Sequence, residues 1–335
     1  MNAAFTSIGI VGTGAMGRGI AQIAAQAGST VYLFDTKPGA VDAARTHLHG
    51  QWQRLADKGR IDATQVPVLL ERLVRAASLR DLAACELVVE AIAERLDAKR
   101  ELLLELEYIV APGAVLASNT SSLSITALAA PLTHPQRVAG FHFFNPVPLM
   151  KVVEVVAGLR TEAVVCARLA QYARAMGHTP VMAQDTPGFI VNHAGRGFGT
   201  EALRIVSEGV ADFATVDRIL RDQAGFKLGP FELMDLTALD VTHPAMESIY
   251  HQYYEEPRFR PSPITAQRLA AGLLGRKTGE GFYRYVDGAA QVPAEPPAPR
   301  PASLPPVWVS PRAARRAELY QLLKRLSATI AAGAT

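Results

Sequence analysis

The sequence holds only two cysteines among 335 residues, Cys85 and Cys166. They lie far apart in apolar surroundings, so neither a disulfide framework nor a cysteine-based metal site is expected, and both read as reduced core residues. Charge of one sign is also scarce: 34 basic side chains face 31 acidic ones, for a net +3. The basic residues are scattered, which removes the electrostatic footprint of a nucleic-acid binder. No apolar run approaches bilayer-spanning length, and the N-terminus, MNAAFTSIGIVG, enters a strand without a charged leader or a cleavage site. The expectation is a cytoplasmic chain with neither nucleic acid nor membrane as partner.

What is there is ordinary for a folded enzyme, 49% apolar and 19% charged, at a length that exceeds one hydrophobic core and implies two units. Short β-branched runs at 7–11, 30–34, 86–89, 114–117, 138–143, 152–156 and 179–183 alternate with helical patterns. That alternation predicts a mainly parallel sheet, and the continuous rather than alternating apolar character predicts helices on both faces. At Asp185-Thr186-Pro187-Gly188 a polar cap and a proline open a helical stretch that runs through Gly209, and later helical segments at 215–223, 230–239, 244–254 and 262–271 carry little strand signal. The reading is an α/β domain over 1–186, a smaller all-α domain over 187–286 and a Pro/Ala-rich linker over 287–306. Residues 307–335 form a strand–helix segment, either an appendage docked on the body or the start of a truncated third unit.

Gly12-Thr13-Gly14-Ala15-Met16-Gly17 follows the first strand and opens a helix, and Asp35 closes the second strand. This is the arrangement of a Rossmann dinucleotide site: one glycine for the tight turn, one for approach of the pyrophosphate, one for helix–strand packing, with the helix N-terminus facing the phosphates. Asp35 at the adenosine ribose would repel a 2′-phosphate, so NAD is favoured over NADP, while Lys37 two residues on softens that preference.

Two polar residues interrupt apolar strands. His142 lies in Gly-Phe-His-Phe-Phe-Asn-Pro and Glu154 in Val-Val-Glu-Val-Val. Burial without partners would be costly for both, so they are expected to pair across the short 145–150 connection. Glu154 then fixes the imidazole tautomer, and His142 takes a proton from a substrate hydroxyl as hydride leaves the same carbon. Ser118-Asn-Thr-Ser-Ser122 after a strand, and Asn192 early in the second domain, are candidates for hydrogen bonds to the reacting oxygen at the cleft.

Together with Pro187-Gly-Phe-Ile-Val-Asn192 and Gly275-Arg-Lys-Thr-Gly-Glu-Gly-Phe282, these motifs resemble the L-3-hydroxyacyl-CoA dehydrogenase family over roughly residues 5 to 286. The resemblance, in particular to 3-hydroxybutyryl-CoA dehydrogenase-like members, implies reversible NAD-linked oxidation of an (S)-3-hydroxyacyl-CoA to the 3-oxoacyl-CoA, as in fatty-acid β-oxidation. It implies His142 as base, Glu154 as its partner, and Ser121 and Asn192 as substrate-oriented groups. It further implies cofactor contacts at Gly12, Gly14, Ala15, Met16, Gly17, Asp35, Glu94, Lys99, Ser121, Asn145 and Lys277, a coenzyme A contact at Lys58, no metal, and a homodimer through the helical domain. The chain departs from the family pattern in His193-Ala-Gly195-Arg-Gly197-Phe-Gly199. Three glycines there weaken a helix, which points to close packing or a roomier acyl site. Two rival readings stand beside this one: a sugar-acid dehydrogenase resembling L-gulonate 3-dehydrogenase, and a non-catalytic NAD-binding protein.

Overall fold

A computed structural model describes residues 5–295 and 305–331. Its strands and helices begin β1 (Ser7–Val11), α1 (Ala15–Gln26), β2 (Thr30–Phe34), α2 (Ala40–Asp57), α3 (Gln65–Glu71), β3 (Leu73–Arg75), β4 (Leu87–Glu90), α4 (Leu96–Ile109), β5 (Val115–Ser118), α5 (Ile125–Ala129), β6 (Val138–Phe143), β7 (Val152–Ala157), α6 (Ala163–Ala175) and β8 (Thr179–Gln184). The eight strands form one sheet in the order β3-β2-β1-β4-β5-β6-β7-β8. Every neighbouring pair is parallel except β6 and β7. The chain reverses there through the 144–151 connection, which sets His142 directly opposite Glu154.

Both faces of the sheet are covered. On β4, Leu87 and Val89 enter one apolar cluster with Ile20, Leu33 and Leu169, whereas Val88 enters another with Leu103, Leu116 and Leu128. That two-sided burial is why the strands read as continuous apolar runs. Strand β3 escaped the sequence reading because three residues carry too little pattern.

The second lobe follows as α7 (Val191–Ala194), α8 (Arg196–Ser207), α9 (Phe213–Arg218), α10 (Pro230–Thr237), α11 (Leu239–Gln252) and α12 (Pro263–Ala270), then a hairpin, β9 (Arg284–Val286) and β10 (Ala289–Gln291). Its core gathers Leu203, Phe231, Met234, Leu239, Met246 and Phe282. Three expectations need correction here. The lobe is not all helical, because Asp287 and Gly288, both at positive φ, turn the chain into an antiparallel ribbon that continues to Gln291, past the expected boundary at 286. Asp185 does not cap the helix that follows it. Its carboxylate accepts from the Ile125 and Thr126 N–H groups at 2.8 and 2.7 Å and from the Ser124 hydroxyl at 2.7 Å, so it caps α5 on another layer. The helical stretch itself starts at Val191 and breaks at Gly195.

Residues Met1–Gln291 form one compact unit and Val292–Thr335 another. Within the second, the expected strand reduces to a single bridge between Val307 and Ile330, and the helix of the expected strand–helix segment is α13 (Arg316–Arg325). Residues 296–304 of the expected linker lie outside the described residues. Among the described residues, no helix is long and apolar enough to cross a membrane.

Buried carboxylates lock the loops of the second lobe. Asp235 is fully buried and accepts from the Phe282 and Tyr283 N–H groups at 2.8 and 2.9 Å and from the Tyr285 hydroxyl at 3.0 Å. A Cβ on Gly281 would lie 2.2 Å from the Asp235 carboxylate, so only glycine lets this loop approach. Asp235→Ala strands two buried donors and is expected to lower the unfolding free energy by about 2–4 kcal/mol in urea titrations; an unchanged midpoint would refute that role.

Candidate active site

The glycine loop leaves β1 and enters α1, and each glycine has a distinct steric reason. Gly12 sits at φ +92°, and a Cβ there would lie 2.7 Å from the Ala91 carbonyl oxygen. On Gly17 a Cβ would lie 1.8 Å from the Gly12 carbonyl oxygen, whereas on Gly14 it would meet nothing within 4 Å. Gly14 is thus the position open to a ligand. It is also the N-cap of α1, which has no side-chain cap and no acidic residue in its first turn. An uncapped N-terminus of this kind presents bare N–H groups to phosphate, so these residues fit a dinucleotide. Ala15 is exposed and Met16 half-buried beside them.

Asp35 accepts from the Thr13 N–H at 2.7 Å, the Thr13 hydroxyl at 2.9 Å and the Lys37 N–H at 2.9 Å. Partial burial works to raise its pKa, but these bonds outweigh it and hold the carboxyl below its ordinary value. The carboxylate is therefore ionised and fixed at the end of β2, where a ribose is expected.

At the other end of the crevice, His142 Nδ1 lies 2.6 Å from Glu154 Oε2, with both side chains buried. The other carboxylate oxygen accepts from the Ile190 and Val191 N–H groups at 2.9 and 2.8 Å. Burial pushes the Glu154 pKa up, but the hydrogen bonds from His142 and from Val191 and Ile190 win and keep it below the usual carboxylate range. An anionic Glu154 accepts a hydrogen bond from Nδ1–H and so leaves Nε2 as the lone-pair nitrogen. The rings of Phe144 and Phe189 pack on the imidazole at 4.5 and 5.8 Å between centroids.

Ser121 and Asn192 come together: the Asn192 amide donates to the Ser121 carbonyl oxygen at 3.3 Å, joining the two lobes. Gln252 adds a second latch onto the Ser122 carbonyl oxygen at 2.8 Å. Glu94 shapes the loop from below. Its Oε1 accepts from the Thr120 hydroxyl at 2.6 Å and the Ser121 and Ser122 N–H groups at 2.9 and 3.1 Å.

Lys99, implied as a cofactor contact, is placed otherwise. It is 1% exposed, and its ammonium lies 2.8 Å from Glu90 and 3.3 Å from Glu94. It neutralises two carboxylates beneath the loop, because a buried ammonium needs anions more than a ligand does. Glu90, which also accepts from the Ser118 hydroxyl, was missed; a glutamate closing the apolar run Leu-Val-Val-Glu carries the same signal that found Glu154. Asn119, whose Oδ1 accepts from the Phe143 N–H at 2.9 Å, was missed too. Asn145 is exposed and joined to Pro146 by a cis peptide bond. Lys58 is exposed at the end of α2, and Lys277 pairs with Asp240. Among the described residues, no group of three or more His, Cys, Asp or Glu is arranged to hold a metal.

A Rossmann crevice carrying a His–Glu pair, closed by a second lobe, defines an oxidoreductase that works on a hydroxyl-bearing carbon. The family model for the NAD binding domain of 3-hydroxyacyl-CoA dehydrogenase matches residues 7–186, and that for its C-terminal domain matches residues 188–285. The 3-hydroxyadipyl-CoA dehydrogenase of Escherichia coli K12 is 41% identical over 83% of this chain, which spans 59% of that relative's length. A probable 3-hydroxybutyryl-CoA dehydrogenase of Deinococcus radiodurans is 41% identical over 83% of this chain and 99% of its own. The crystal structure of (S)-3-hydroxybutyryl-CoA dehydrogenase from Ralstonia eutropha superposes with a TM-score of 0.81 at 35% identity, over 84% of this chain and all of that one. The chain belongs to the 3-hydroxyacyl-CoA dehydrogenase family of NAD-dependent oxidoreductases.

The glycines separate by experiment. Gly14→Ala is expected to weaken NADH binding tenfold or more in a fluorescence titration with little change in melting temperature. Gly17→Ala is expected to lower both, and equal effects of the two substitutions would refute the assignment.

Proposed function

We propose that the chain catalyses reversible oxidation of an (S)-3-hydroxyacyl-CoA to the 3-oxoacyl-CoA, with His142 as general base and Glu154 as its positioning partner. The observation that carries this reading is the 2.6 Å bond between the buried His142 and Glu154 at the seam of the two lobes. The anionic carboxylate accepts a hydrogen bond from Nδ1–H, so Nε2 removes the proton of the substrate hydroxyl in oxidation and, as the imidazolium, returns it to the oxygen in the reverse reaction. NAD, when bound, supplies the hydride acceptor. Ser121 and Asn192, side by side across the seam, orient the reacting oxygen, and Phe144 and Phe189 exclude water from the imidazole.

The names of the relatives favour a CoA thioester over a sugar acid, since they specify 3-hydroxybutyryl-CoA and 3-hydroxyadipyl-CoA. The complete His–Glu pair speaks against a merely NAD-binding role. Acetoacetyl-CoA is expected to support NADH oxidation, and His142→Ala to lower kcat by about 10²–10⁴ with NADH affinity kept. A wild type that binds NADH yet reduces no 3-oxoacyl-CoA would refute the reading.

The working form is a cytoplasmic homodimer built through the helical lobe. Leu233, Leu236 and Val241 stand 40, 48 and 61% exposed on α10 and α11, an apolar surface that a second copy would cover. Sedimentation should give about twice the 35.9 kDa chain mass; a monomer at micromolar concentration would contradict this.

A further inference from the structure

Arg196 opens α8 and, among the described residues, has no counter-ion within salt-bridge distance. Its Nη1 is buried with no hydrogen-bond partner, and its Nε reaches only the Asn192 carbonyl oxygen, at 3.3 Å. Burial draws its pKa below the usual arginine range, and no anion offsets that effect. Other buried cations of the chain are answered by acids: Lys99 by Glu90 and Glu94, Arg137 by Glu107, and Arg268 by the field of Asp235. An unpaired buried guanidinium is costly, so its missing partner is a ligand group or it is a liability.

Its place says which ligand group. Asn192, whose carbonyl oxygen the Arg196 Nε reaches, bonds to Ser121 at the seam. One residue before that, Val191 donates to Glu154, the partner of His142. The guanidinium therefore lies beside the residue assigned to the reacting oxygen. The glycines beside it differ: a Cβ on Gly197 would meet nothing within 4 Å, while one on Gly199 would lie 3.3 Å from the Met234 side chain.

We propose that Arg196 receives the terminal carboxylate of the acyl chain, making the preferred substrate a 3-hydroxy-dicarboxylyl-CoA rather than a simple fatty acyl-CoA. The inference rests on the acyl-CoA reading above. The planar guanidinium matches a carboxylate with two parallel N–H···O bonds, and the buried setting strengthens them. A chain with two methylenes between C3 and its carboxylate has about the reach required. A methyl-ended chain of the same length leaves the cation unanswered.

The test compares 3-hydroxyadipyl-CoA with 3-hydroxyhexanoyl-CoA, equal in length and different only at the far end, on the wild type, Arg196→Gln and Arg196→Lys. The wild type is expected to favour the diacid by at least tenfold in kcat/KM, about 1.4 kcal/mol. Arg196→Gln is expected to abolish that ratio and Arg196→Lys to keep part of it. A wild type that turns over both substrates equally overturns the proposal and leaves the dehydrogenase reading intact, whereas one inactive on both overturns the reading and the proposal with it. A ratio unchanged in Arg196→Gln also overturns it, because the cation then serves the coenzyme A phosphates or a partner subunit. Since the wild-type ratio is decisive alone, a variant that fails to fold does not shelter the idea.

Discussion

The Glu154 carboxylate is the junction on which the rest depends. One oxygen holds the His142 ring, and the other receives two backbone N–H groups from the start of the second lobe. One buried charge thus sets the tautomer of the base and the position of the lobe that covers it. The cost of burying an anion is offset because all three bonds come from donors that would otherwise be unsatisfied in the same seam. The antiparallel β6–β7 pair makes this possible, since reversing the chain there puts residues 142 and 154 in register.

The same device recurs through the molecule. Glu90 with Lys99, Glu94 over the Thr120–Ser122 loop, Asp185 at α5 and Asp235 beneath the 275–285 loop each join segments distant in sequence. Loops at the mouth of the crevice are thereby held to fixed shapes, as a site that must align a hydroxyl, a base and a nicotinamide requires. Against that pattern Arg196 stands out as a cation whose buried Nη1 finds no partner among the described residues.

How much of this was legible in the sequence follows from the kind of signal each part leaves. The expected strands appear within a residue or so of their expected bounds, because burial on both faces writes a continuous apolar run. The glycine loop and the His142–Glu154 contact were readable for a complementary reason: a glycine row after a strand has few other uses, and a charge inside an apolar strand demands a partner. The burial of Lys99 between Glu90 and Glu94 was not legible, because an ammonium on a helix looks alike whether it faces ligand or core. Asp185 was misread because a capping carboxylate beside a Pro-Gly turn gives no hint that the helix it caps lies 60 residues earlier. The β9–β10 ribbon and the reduced C-terminal strand are three residues or fewer, below what alternation can announce.

The most direct measurement is Glu154→Gln, followed by turnover and by amide hydrogen exchange at Ile190 and Val191 with NADH bound. An amide in place of the carboxylate cannot both accept from the His142 Nδ1–H and keep the two backbone bonds. The expected result is a large fall in kcat together with faster exchange at those two amides and unchanged NADH affinity. Full turnover, or lost turnover with exchange at 190 and 191 unaltered, would contradict the claim that one carboxylate fixes both the base and the lobe above it.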